Sequence, residues 1–208
     1  MEDLMTSNIF QNLSYLPFEE GLKKIIDNAV DRNQHKSTEI IGEVRDIVFS
    51  FWPQLPNCEP DVLININSKS KPLVNILIEA KLDSGLSGDD QLDKEWNDLE
   101  TTYPGERNMM IFLTKDPMIP VAQMAEDIPE LFWINYQTIY NIFSDALKTS
   151  ETENLILQDI VALMQHYNFS PFTNWSEFIE VLPYFPMFKN YFSWTPLTEL
   201  DKYIRLWN

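Results

Sequence analysis

The sequence predicts an α/β fold: a small central mixed β-sheet flanked by helices, with an aromatic-rich helical C-terminal extension. Three observations predict it. The apolar period changes from helical to two near Asp61, two apolar runs (Leu73–Lys81 and Asn108–Thr114) read as central strands, and segments of helical periodicity flank and separate them. With 44% hydrophobic and 13% aromatic residues in a chain of 208, there is enough material for a packed core.

Residues 1–37 form an N-terminal helical segment, 38–150 the core, and 151–208 a helical extension packed on that core. In the first segment, residues 17–31 set Leu22, Ile25, Ile26 and Ala29 at helical spacing. A second helix is expected to start with Thr38 as its cap. It would carry Ile40, Ile41, Val44, Ile47, Val48 and Phe51 and end at Trp52-Pro53, where the proline disfavours helical backbone before it. From Asp61 to Asn67 the alternation puts Val62, Ile64 and Ile66 on one strand face and Asp61 and Leu63 on the other. Ser68–Pro72 reads as a turn into the strand Leu73–Lys81. A Gly/Ser/Asp-rich loop, residues 83–90, precedes a helix near Asp90–Thr101 with the stripe Leu92, Trp96, Leu99. Asn108–Thr114 is a buried strand and Leu131–Asn135 another. Helices follow near Tyr136–Leu147 and Glu151–Tyr167. Beyond Tyr167 aromatics crowd the chain, Trp175, Phe188, Trp194 and Trp207 among them, as a helical cap or a partner surface would require.

The chemistry-bearing residues fall on the hairpin. A spacing of two puts Glu79 and Lys81 on one strand face, with Ala80 turned away. If the strands pair about the turn at 68–72, Asp61 meets the end of the second strand near Glu79. Two carboxylates and an ammonium then converge at one edge of the sheet. A hard divalent ion takes such oxygen ligands, with the Ala80 carbonyl as a third, and Lys81 is placed to orient a water and to stabilise developing negative charge. These are the parts that phosphodiester hydrolysis needs.

The pieces Glu59-Pro60-Asp61-Val62, Ile78-Glu79-Ala80-Lys81 and Gln91-Leu92 resemble the PD-(D/E)XK nuclease superfamily. They are closest to restriction- and defence-associated members, which often place a glutamine on the helix after the motif strand. The runs NMMIFLTKDP and LFWINYQTIYNIF sit where that family has a strand and a strand–helix pair. The resemblance covers residues 38–147, with weaker likeness through 167. It implies a restriction-endonuclease-like core and DNA cleavage dependent on Mg2+ or Mn2+. Asp61, Glu79 and Lys81 would be its centre and Gln91 an auxiliary. Many members add an acid from the first core helix. Glu43, between Ile40 and Ile47, fits best and Glu39 is the runner-up, and either also fits a solvated helix position.

Charge constrains the reading. Thirty-two acidic residues against 15 basic ones give a net charge of −17, and an acidic surface repels duplex DNA. A DNA substrate therefore implies a protein partner or homo-oligomer that supplies DNA binding, or a local basic groove, for which Lys69, Lys71, Lys81 and Lys94 are candidates. The contrasting class is an acidic protein-binding module or DNA mimic on a nuclease-like scaffold. No apolar run reaches 18 residues, the N-terminus lacks a basic-then-apolar signal pattern, and the single Cys58 fits a reducing compartment. The expectation is a cytoplasmic protein with no membrane partner. Cys58 reads as a packing residue, and His35 and His166 have no partner at zinc spacing.

Overall fold

The computed structural model describes residues 2–37, 40, 42–69, 72–82, 90–150 and 154–171. The chain divides into two units, Met1–Ser170 and Pro171–Asn208, and the described residues belong almost wholly to the first. The expected aromatic C-terminal segment from residue 172 onward, and the loop 83–89, lie outside the described residues.

The first unit is built on a five-stranded mixed sheet in the order β1-β2-β3-β4-β5: Asp46–Phe51, Val62–Asn67, Pro72–Lys81, Asn108–Thr114 and Leu131–Asn135. The β2–β3 hairpin pairs antiparallel as expected, with Val62 opposite Ile78. β3 then pairs parallel with β4, and β4 with β5. A parallel pair needs a crossover, supplied between β3 and β4 by α3, Gln91–Thr102. β3 is thereby the central strand, and seven of its consecutive residues, Val74–Ala80, are buried.

Alternation along the strands gives each sheet face its own core. On one face Val62, Ile64, Ile66, Val74, Ile76, Ile78, Met109 and Ile111 pack under α1 (Glu2–Leu13), α4 (Tyr136–Thr149) and α5 (Leu155–His166). On the other, Leu63, Leu77, Met110, Phe112 and Trp133 pack under Leu92 and Leu99 of α3. α1 buries Met5, Ile9, Phe10 and Leu13, a helical spacing, and its Thr6 hydroxyl meets the Tyr136 hydroxyl at 2.6 Å. α5 packs on α1 and α4, and the unit runs to Ser170. Residues 17–31 form only one short helix, α2 (Leu22–Ile26), among turns, although Leu22, Ile25, Ile26 and Ala29 are all buried. At the far edge, Val30 covers β5 by exchanging two backbone hydrogen bonds with Trp133, at 2.7 and 2.9 Å.

One expectation is overturned. The second half of the helix expected from Thr38 to Phe51 is a strand, β1, with Ile47, Phe49 and Phe51 opposite Ile66, Ile64 and Val62. The run DIVFSF satisfies a period of two as well as a helical stripe, and pairing with the waiting edge of β2 decides between them. Trp52 ends the strand with φ at 48°, a left-handed conformation uncommon for a bulky residue. Thr38, Glu39 and Ile41 lie outside the described residues. No helix among the described residues is long and apolar enough to cross a membrane.

Ile111, fully buried at the middle of β4, has nowhere to collapse if shortened. Ile111→Ala should cost about 2–5 kcal/mol, read as a lower urea midpoint at an unchanged slope.

Candidate functional site

Asp61, Glu79 and Lys81 share the sheet face that α3 covers, because they have the parity of Leu63 and Leu77. Backbone chemistry brings Asp61 to β3. The N–H groups of Asn75, Leu77 and Glu79 face β4, so those of Ile76, Ile78 and Ala80 face β2. Two residues beyond the Val62–Ile78 pair, the register sets Ala80 opposite Pro60, which has no N–H to give. The ladder therefore lacks a donor to the Ala80 carbonyl there, and the Ala80 N–H donates to the Asp61 side chain, Oδ2, at 2.8 Å. The Asp61 carbonyl accepts from the Trp52 N–H at 3.0 Å, which ties the residue to the end of β1 as well.

Glu79 is 3% exposed, and its Oε1 meets Lys81 Nζ at 2.5 Å. The same oxygen accepts from Gln91 Nε2 at 2.6 Å, and that nitrogen also donates to Glu95 Oε1 at 2.8 Å. One amide thus clips two carboxylates together. Glu95 is 2% exposed, and its other oxygen, Oε2, has no hydrogen-bond partner among the described residues. Burial, then the Glu79 carboxylate, push the Glu95 acid up to about 8, Asp61 adding to the rise, while the Gln91 hydrogen bond and the Lys81 charge oppose it.

A second anchor stands one turn further along α3. Buried Asp98 accepts from the Asn57 N–H at 2.6 Å and from Asn57 Nδ2 at 2.7 Å, fastening the loop that leads into Pro60-Asp61. Burial raises this acid, but the hydrogen bonds from Asn57 and Cys58 outweigh it and hold Asp98 below the usual carboxylate range. Burial and the Asp98 carboxylate push the Cys58 thiol up to about 12, which fits an inert packing residue.

Of the residues singled out from sequence, Asp61, Glu79, Ala80, Lys81 and Gln91 come together. Glu43 does not. With β1 in place of the expected helix, its side chain is 73% exposed and pairs with Arg45 at 2.9 Å, beside Val44, which packs on the opposite sheet face. The described residues do not assemble the basic groove either. Lys69 sits at the turn end of the hairpin, Lys94 pairs with Asp90 at 2.8 Å, and Lys71 lies outside the described residues. Glu95 and Asp98 are the residues that sequence reasoning missed. Their signal was available, since Gln91, Glu95 and Asp98 are spaced i, i+4, i+7 as a polar stripe beside Leu92, Trp96 and Leu99.

Among the described residues no group of three or more His, Cys, Asp or Glu side chains is gathered as a metal-binding cluster. The donor chemistry nonetheless fits a hard divalent ion. Asp61, Glu79 and Glu95 offer carboxylate oxygens on one face, Glu95 Oε2 is buried with no hydrogen-bond partner among the described residues, and the Ala80 carbonyl faces Pro60.

No protein-family model matches the chain, and no solved structure matches it. The uncharacterized protein PM0110 of Pasteurella multocida (strain Pm70) is similar, 39% identical over 88 residues, which is 38% of this chain and 28% of that protein. The matched part is thus under a third of the relative's length.

Two predictions follow from the buried acids. Because the folded-state value for Glu95 lies above its ordinary 4.5, the native state keeps a proton that the unfolded chain releases. Its contribution to stability is present below about pH 4.5 and is lost as pH rises toward 8. In chelating buffer, Glu95→Gln should melt at least ~2–4 °C above wild type at pH 8.5. A gap that failed to shrink toward pH 5 would contradict this. Cys58 should react with a disulfide reagent at pH 8 roughly 100- to 1,000-fold more slowly than an ordinary thiol, and Asp98→Asn should speed it.

Proposed function

We propose that this chain is a metal-dependent endonuclease of the PD-(D/E)XK type, with a restriction-endonuclease-like core. It would hydrolyse DNA phosphodiester bonds as a subunit of a restriction or anti-phage system. The observation that carries the reading is the meeting of Asp61, Glu79 and Lys81 at the end of the central strand, with Gln91 from the next helix hydrogen-bonded to Glu79. A solvated surface hairpin has no reason to bury Glu79 to 3% exposure and hold it there with an ammonium and an amide.

Asp61, Glu79 and the Ala80 carbonyl would hold Mg2+ or Mn2+. Such an ion supplies Lewis acidity, lowering the pKa of a bound water and neutralising phosphate charge. The chain's own groups do the rest. Lys81 is 15% exposed, so its ammonium is reachable from one side. It has three N–H donors, enough to keep Glu79 and also to orient a water or bind a phosphate oxygen. Gln91 holds the Glu79 carboxylate in orientation. The Ala80 N–H fixes the Asp61 carboxylate at the end of β3, beside Glu79.

The net charge of −17 requires that DNA be delivered by a partner or a second copy. The same charge favours a second reading, an acidic protein-binding module or DNA mimic that does no chemistry. Cleavage separates the two. Plasmid and single-stranded DNA are incubated with the protein in Mg2+, Mn2+ or EDTA. Cutting should require the ion, and Lys81→Ala should slow it at least ~100-fold. Equal cutting by the variant, or cutting in EDTA, would sink the nuclease reading.

A further inference from the structure

We propose, resting on the nuclease reading above, that Glu95 is a third carboxylate of the divalent-ion site and binds the ion through Oε2. Three observations converge on it. Glu95 is 2% exposed on the face of α3 that lies against the sheet, between the core residues Leu92 and Leu99. A buried carboxylate oxygen normally takes a hydrogen bond, and Oε2 has none among the described residues. Gln91 Nε2 holds Glu95 Oε1 and Glu79 Oε1 at 2.8 and 2.6 Å, so the two carboxyl groups stand within two hydrogen-bond lengths of each other.

Charge balance points the same way. Asp61, Glu79 and Glu95 as carboxylates, set against Lys81 as the one ammonium among these four side chains, leave two negative charges in a mostly water-free site. A divalent cation cancels them, and a monovalent one does not. A site with one or two carboxylates depends on substrate phosphates to complete it, whereas a third carboxylate raises affinity by ligand charge alone. The ion should therefore bind before DNA does. In this arrangement Gln91 is a positioning residue whose amide bridges Glu79 and Glu95.

The test needs no DNA and no turnover. Mn2+ is titrated into the full chain at neutral pH, and the free ion is followed by electron paramagnetic resonance. Wild type should bind the ion, Glu79→Gln should lose it, and Glu95→Gln should weaken it at least ~10-fold. Glu95→Asp, which keeps the charge on a shorter arm, should recover part of the affinity and serves if the glutamine variant fails to fold. Melting in EDTA checks that each variant is native. If Glu95→Gln binds within about twofold of wild type while Glu79→Gln does not bind, Glu95 is a buried acid only, and the nuclease reading survives without it. If Glu79→Gln binds normally and Glu95→Gln does not, the ion sits elsewhere and the three-carboxylate site is wrong. Failure of wild type to bind at millimolar Mn2+ overturns this inference and the metal-dependent reading together.

Discussion

Glu79 stands on the central strand with apolar residues before it and 3% of its surface exposed. An ionised carboxylate in that position costs several kcal/mol in desolvation unless it is matched by charge and hydrogen bonds. The surrounding architecture meets that requirement. Lys81 must be two residues on, because only that spacing returns to the same face beside it. Gln91 must open α3, because its amide reaches Glu79 from above the sheet. The loop before Asp61 must be tied down by Asp98, because Asp61 accepts the Ala80 N–H where the backbone ladder ends. Loosening any one of these leaves a buried charge under-compensated, so they form a unit whose energies will not add.

How much of this was legible in the sequence depended on whether a segment's pattern fits one period or two. Leu73–Lys81 and Asn108–Thr114 are unbroken apolar runs too short for a buried helix, and both are strands where expected. The helix near Asp90–Thr101 begins and ends within one residue of its observed bounds, because Leu92, Trp96 and Leu99 admit no alternation. DIVFSF fits both periods, and the choice was made by the free edge of β2, a long-range partner that no local window contains. The consequence reaches the site. Glu43 could face the sheet only from a helix, and without that helix it is a surface acid paired with Arg45.

Glu95 and Asp98 were hidden for a different reason. Reading α3 by its apolar residues alone assigns every charged position to solvent, as the hydrophobic stripe normally implies. Here the buried face is wider than the apolar stripe and includes Glu95 and Asp98, with half-buried Gln91 at its edge. Such a stripe breaks the rule that buried positions are apolar, and departures of this kind are expected where function is built. The converse holds at Cys58, where the residue type hints at reactivity and burial, with the neighbouring carboxylates, removes it.

The acidic surplus of the chain and the acidic site are separate problems. Far from the site, surface carboxylates are screened over about 10 Å at ordinary ionic strength, so they slow the approach of DNA without altering the chemistry. Inside the site burial acts first on Glu95, and because screening is weak the Glu79 carboxylate and then Asp61 add to it, so Glu95 is lifted far from its ordinary range. A site that concentrates negative charge is costly to keep empty, and that cost makes a divalent cation bind strongly when it arrives. The stability lost in the apo protein and the affinity gained for the ion are two readings of the same buried, crowded carboxylates. Lys81 offsets part of it at all times, which explains why the fold tolerates the arrangement before any ion is present.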